Sequence, residues 1–182
     1  MKIGILLATG YEEGESLFVV DVLRRAGFDA VSVSTTGDIN VTGGHNITVV
    51  ADMLLDDSVK DFDMIILPGG MPGATNLRDD PKVIELVQYF DEHKKYIGAI
   101  CAAPIVLHEA GILKGRNMTS YPGEKYTSLF TEANYKEDIV VVDDNLITSR
   151  GPATTLPFAY GIIDLLGGNS EPLKQGMLYY LQ

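Results

Sequence analysis

Apolar positions gather into three short unbroken runs, Lys2–Ala8, Asp63–Leu67 and Tyr96–Ile100, each ending in a glycine or polar turn. Apolar runs of this length without alternation predict strands buried on both faces. Each run is followed by a segment with helical spacing. Glu15–Ala26 is the first, closed by Gly27 as a C-cap. Asp80–Lys94 is the second, opened by Asp79 or Asp80 as N-cap with Pro81 just inside. Ala102–Ala110 is the third, stopped by Gly111. Ala30–Ser34 reads as a further strand and Val41–Val50 as an edge hairpin. Val140–Val142 and Leu146–Thr148 flank Asp143-Asp144-Asn145 as a strand pair. Thr154–Leu166 predicts a helix with Pro157 in its first turn, and Pro172–Leu181 a short final one. Lys114–Asn134 is the longest stretch without a pattern.

Strand–helix alternation predicts one α/β domain over residues 1–182, a mostly parallel sheet with helices on both faces. Such sheets bind ligands outside the carboxyl ends of their strands, where strand order reverses. The residues just after Leu7, Leu67 and Ile100 should therefore converge if those strands are neighbours.

Composition narrows the partners. Of 182 residues, 46% are hydrophobic and 21% charged, which excludes a disordered chain. Fourteen Lys and Arg against 25 Asp and Glu give a net charge of −11. The densest basic clusters are the pairs Arg24-Arg25 and Lys94-Lys95, so neither nucleic acid nor an anionic membrane surface is an expected partner. No apolar run reaches the roughly 18 residues of a membrane span. The N-terminal segment turns acidic after Tyr11 and lacks an A-x-A-like cleavage site, so it reads as a strand and not a signal peptide. One cysteine forms no internal disulfide or multi-cysteine zinc site and fits a reducing cytoplasm.

That cysteine, Cys101, lies where an apolar strand passes into a helix, a context resembling a nucleophile elbow. A helix N-terminus supplies free N–H groups and positive partial charge, which predicts a depressed thiol pKa. The Ala102 N–H would face charge developing near the sulfur. The bland alternative is a small buried hydrophobe. Glu15 follows the first strand, with Glu12 and Glu13 beside it. Near a thiolate it would be pushed toward its neutral form and could shuttle a proton; otherwise these acids simply suit a helix N-terminus. Gly69 and Gly70, after Pro68, permit close backbone approach, and the Gly70 N–H could complete an oxyanion hole with Ala102; a plain glycine turn is the alternative. The first loop lacks G-x-G-x-x-G, which weighs against a nucleotide phosphate. His45, His93 and His108 lack the spacing of a metal pair. His93 and His108 read as solvated or interface residues. Arg150 is an anion contact or a structural ion-pair residue.

The segments LLATGYEEGES, IILPGG, GAICAAP and TSRGPAT, in this order and spacing, resemble the ThiJ/PfpI superfamily. The similarity runs from Lys2 to about Gly168 and is nearest to the Parkinson-disease-associated protein deglycase branch and its bacterial relatives. The resemblance implies a flavodoxin-like three-layer α/β sandwich and a homodimer. It implies an oxidation-prone nucleophile at Cys101, a partner acid at Glu15 and backbone donors at Gly70 and Ala102, with no metal or organic cofactor. Peptidase-like branches carry a histidine just after the cysteine; Ala102 stands here, which argues against peptide hydrolysis. The branch's pocket histidine is matched to Phe130–Tyr135, with Glu132 as its equivalent, and a pocket arginine is matched to His45. The implied activity is cysteine-dependent chemistry on small reactive carbonyls, of the glutathione-independent glyoxalase or deglycase type. The alternative is a redox-sensing or chaperone-like stress protein using oxidation of Cys101 without turnover, and a third is a catalytically silent scaffold.

Overall fold

A computed structural model describes residues 1–181. In chain order the elements are β1 (Lys2–Leu7), α1 (Glu13–Arg25), β2 (Asp29–Ser34), β3 (Asn40–Thr42), β4 (Thr48–Val50), β5 (Met53–Leu54), β6 (Met64–Leu67), α2 (Gly73–Arg78), α3 (Pro81–Glu92), β7 (Tyr96–Ile100), α4 (Pro104–Glu109), β8 (Asn117–Met118), α5 (Glu124–Thr127), β9 (Asn134–Tyr135), β10 (Val140–Asp143), β11 (Leu146–Ser149), α6 (Thr155–Leu165) and α7 (Glu171–Gly176). Seven strands form one sheet in the order β10-β11-β7-β6-β1-β2-β5. All its pairings are parallel except β10 with β11.

The three apolar runs are the centre of this sheet. Ile3–Leu7, Met64–Leu67 and Ile97–Ile100 are buried throughout, because helices cover both faces. α1 and α6 pack together on one face, while α2, α3 and α4 form the other layer. The fold is the flavodoxin-like sandwich. In α3 the buried residues Val83, Leu86, Val87 and Phe90 line one stripe. Its N-cap is Asp80, whose carboxylate accepts the Lys82 N–H at 2.9 Å, with Pro81 at the first helical position. Gly27 ends the first helical segment at φ +85°, where the Phe28 N–H reaches back to the Leu23 carbonyl.

Several boundaries differ from the sequence reading. α1 begins at Glu13, two residues early, so Glu13 and Glu15 both lie in its first turn. α4 begins at Pro104 and not at Ala102; residues 101–103 form a turn. Gly73–Arg78 is a helix too short to announce itself by period. The β3–β4 hairpin forms a sheet of its own and does not extend the main one. Its connection is tied to the loop after β1 by Gly10 N–H to Thr42 O and Gly44 N–H to Tyr11 O, both at 2.8 Å. The unpatterned Lys114–Asn134 region carries β8 and α5 and reaches the start of β9, and β8 and β9 pair in parallel. The last predicted helix stops at Gly176, followed by a 3-10 turn over Tyr179–Leu181. No helix among the described residues is long and apolar enough to cross a membrane.

Candidate active site

β7, β6 and β1 are adjacent, so the residues following Ile100, Leu67 and Leu7 meet at one sheet edge. Strand order reverses there: the chain goes from β1 to β2 on one side, then returns to place β6 on the other. Cys101 sits at φ +63°. A side chain in the left-handed region is strained by about 1–3 kcal/mol. Its backbone is held on every side: Cys101 N–H donates to Ser149 O at 3.0 Å, Ala103 N–H to Ile100 O at 3.0 Å, and Tyr121 N–H to Cys101 O at 2.8 Å. The residue is 8% exposed.

Glu15 is 1% exposed and projects from the first turn of α1 into the same edge. Its Oε2 accepts the Gly69 N–H at 2.8 Å, and its carboxyl lies close enough to the Cys101 thiol for each to perturb the other's ionisation. Oε1 is buried and has no hydrogen-bond partner among the described residues. The backbone N–H groups of Ala102 and Gly70 lie near enough to the sulfur to favour its thiolate form. Gly69 and Gly70 are glycines for steric reasons. A Cβ on Gly69 would lie 2.7 Å from both Cys101 Cβ and Glu15 Oε2. Gly70 has φ +84°, and a Cβ there would lie 2.7 Å from the Gly10 carbonyl oxygen.

Burial, reinforced by the Glu12 charge, pushes the Glu15 carboxyl up to about 7 against the opposing Gly69 and Cys101 hydrogen bonds. The predicted depression of the Cys101 thiol is reversed. Burial, and then the Glu15 carboxylate, push it up, and the Ala102 and Gly70 amides do not outweigh them. The sequence reading placed a helix N-terminus at the sulfur; α4 starts three residues later and is short, which weakens that contribution. Two negative charges in contact in a buried site repel strongly, so the pair is confined to one near neutral pH. Glu15, half protonated near neutrality, is poised to take a proton from the thiol or to give one back.

The remaining predicted residues lie elsewhere or play other parts. His45 is exposed, and its Nδ1 is 2.8 Å from Glu13 Oε2 and 3.7 Å from Glu12 Oε1. Its backbone N–H also donates to Glu13 Oε1 at 2.7 Å, so Glu13 clamps the 43–47 loop. Glu12, Glu13 and His45 offer ligand atoms within 4.8 Å of one another, spacing compatible with a cation, although the clamp already engages Glu13 and His45. Arg150 donates from Nη1 to the Glu137 carbonyl at 2.8 Å. Glu132 is exposed, with Lys114 as its partner at 3.9 Å. His93 stacks on Tyr89, and His108 meets the Phe130 ring edge-on. Sequence reasoning left open what the tyrosines from Tyr121 to Tyr135 contribute; Tyr121, whose N–H donates to Cys101 O, forms a T-shaped pair with Tyr126, centroids 5.9 Å apart. Their signal was available in the tyrosines of the unpatterned segment, but no period placed them.

Residues 1–165 match the DJ-1/PfpI family. The Parkinson disease protein 7 homolog of Danio rerio is 38% identical over 167 residues, covering 90% of this chain and 88% of the relative. Protein DJ-1 homolog B of Arabidopsis thaliana is 37% identical over 95% of this chain, which spans 40% of that longer protein. The crystal structure of Drosophila melanogaster DJ-1beta superposes with a TM-score of 0.91 at 36% identity, covering 98% of each chain.

Proposed function

The chain belongs to the DJ-1/PfpI family, and from that premise we propose that it is a cysteine-dependent enzyme acting on small α-oxoaldehydes, without metal or organic cofactor. One observation carries this reading: a carboxyl only 1% exposed lies beside the sole cysteine, with Glu15 Oε2, Cys101 Cβ and the Ala102 nitrogen all crowded around Gly69. The sulfur adds to the aldehyde carbon as Glu15 takes the thiol proton and passes it to the carbonyl oxygen, giving a hemithioacetal. Glu15 then removes the proton from that carbon, forming an enediol, and returns a proton to the neighbouring carbon. The product is a thioester of a 2-hydroxy acid. Water, deprotonated by Glu15, hydrolyses it and restores the thiol. The net reaction adds one water to the oxoaldehyde and needs no external oxidant or reductant. The Gly70 and Ala102 amides stabilise the successive oxyanions, each donor worth roughly 3–4 kcal/mol of barrier. Deglycation of an adduct opens by the same route.

Wild-type protein should convert methylglyoxal to lactate, and Cys101→Ser should reduce this to background. Undiminished lactate formation in that variant overturns the mechanism.

The same geometry supports a second reading, redox sensing. Two equivalents of peroxide would carry the thiol to a sulfinate, releasing two waters, and the Gly70 and Ala102 amides with a neutral Glu15 would donate to its oxygens. A single cysteine leaves no internal resolving thiol. Mass spectrometry after limited peroxide should show two added oxygens on Cys101 before methionine oxidation; the reverse order counts against it. Exposed Leu17 and Phe18 on α1 support a homodimer built on that helix, testable by light scattering.

A further inference from the structure

We propose that Tyr121 and Tyr126 form an aromatic wall beside Cys101 that favours α-oxoaldehydes bearing an aryl group over methylglyoxal. The proposal rests on the carbonyl reading above. The Lys114–Asn134 segment is stitched to the site at several points. Thr119 N–H donates to Thr148 Oγ1 at 2.9 Å, which fixes β8 against β11. Tyr121 N–H donates to the carbonyl of Cys101 itself at 2.8 Å. The Tyr135 hydroxyl donates to Ser120 O at 3.3 Å, and Ser120 Oγ to Tyr121 O at 3.1 Å. Tyr135 in turn stacks on the buried Phe130 ring at an interplanar angle of 4°. The Tyr121 backbone is thus held from both sides, although no long element carries it.

The two rings occupy the resulting space. Tyr121 packs over Gly151, where a Cβ would touch its ring at 3.6 Å. Tyr126 meets it edge-to-face at 70°. Tyr126 is half-buried, and burial, then the nearby Cys101 and Tyr121, push its phenol pKa up. Tyr121 remains 45% exposed, leaving an aromatic surface uncovered next to a residue that is itself 8% exposed. Such a surface suits a flat apolar substituent. Glu12, Glu13 and Glu15, on a chain of net charge −11, disfavour an anionic one. A neutral aryl α-oxoaldehyde satisfies both conditions. Methylglyoxal offers the same reacting carbons without the ring.

The wall can be read without turnover. Cys101 would be alkylated by iodoacetanilide and by iodoacetamide, with the rate ratio normalised to that of N-acetylcysteine. Aromatic contacts of this kind predict a preference of about three- to tenfold for the aryl reagent. Tyr121→Leu and Tyr126→Leu should lower it below about twofold while the iodoacetamide rate changes little; Tyr126→Phe should keep it. Urea midpoints for each variant separate loss of the wall from loss of the fold. A wild-type ratio equal to that of the free thiol, or one unmoved by both leucine variants, overturns the proposal. In parallel, kcat/KM for phenylglyoxal and methylglyoxal would be compared. Methylglyoxal turnover without aryl preference defeats the wall alone, and aryl preference in alkylation without turnover of either aldehyde defeats the carbonyl reading alone.

Discussion

Glu15→Gln should make the protein more stable, and by an amount that depends on pH. Glutamine is nearly isosteric and its amide oxygen can still accept the Gly69 N–H, so the substitution chiefly removes an ionisable group from a position 1% exposed. In the folded chain that group titrates at about 7, against an ordinary value of 4.5. An acid whose folded pKa is raised contributes most below its unfolded pKa, where it is neutral in both states. That contribution is lost as pH rises toward the folded value, because only the unfolded chain ionises freely. At about 1.4 kcal/mol per unit, the full penalty in wild type is about 3 kcal/mol, most of it developing between about pH 5 and pH 8. Urea unfolding of both proteins at those two pH values measures it. The variant should lie close to wild type at the lower pH and gain about 2–3 kcal/mol on it at the higher. A difference independent of pH, or a variant less stable at the higher pH, would refute the assignment of a charge held in a dry site. Turnover should move the other way, falling about 10²–10⁴-fold as the proton shuttle is lost. Stability gained together with activity lost marks a group retained for chemistry.

Other perturbations test the surroundings. Gly69→Ala places a methyl 2.7 Å from Cys101 Cβ; it should cost about 1–3 kcal/mol by urea unfolding and slow Cys101 alkylation sharply. Arg116 is largely buried and donates to Asp91 Oδ1 and Asn145 Oδ1, both at 2.8 Å, and to the Asp143 carbonyl. Arg116→Met should therefore lose about 3 kcal/mol, measured as a fall in the urea midpoint. The Glu13 hydrogen bond raises the pKa of His45. The charged contact is present at low pH and lost as pH rises through that value, so proteolysis of the 43–47 loop should quicken at alkaline pH. His45→Gln should remove this pH dependence.

The centre of the fold was legible because its strands are covered on both faces, and continuous apolar runs such as Met64–Leu67 are what that environment requires. The same logic predicted that the ends of β1, β6 and β7 would meet. The proton balance at Cys101 was not legible, since it depends on burial and on one carboxylate distant in sequence. The neighbouring strand-to-helix pattern suggested the opposite sign. His45 and Glu132 were placed by correspondence with other chains. In the fold the His45 ring meets the buried Glu13 and Glu132 lies 3.9 Å from Lys114. The contribution of Tyr121 and Tyr126 was not legible because a backbone hydrogen bond to Cys101 and side-chain bonds of Ser120 and Tyr135 locate that segment, and no hydrophobic period records such bonds.

Gly69 and Glu15, which share a hydrogen bond, are 54 residues apart in sequence, and Cys101 comes from yet another strand. During refolding, closing those loops precedes any reward from the contacts they make, and parallel strand pairing is intrinsically slow. A chain with β7 formed but β1 undocked therefore carries an unassisted thiol, without Glu15 to exchange its proton. Thiol chemistry that needs Glu15 should therefore return only once β1 has docked, and a delay between recovery of helical signal and recovery of that chemistry would report when the first strand takes its place.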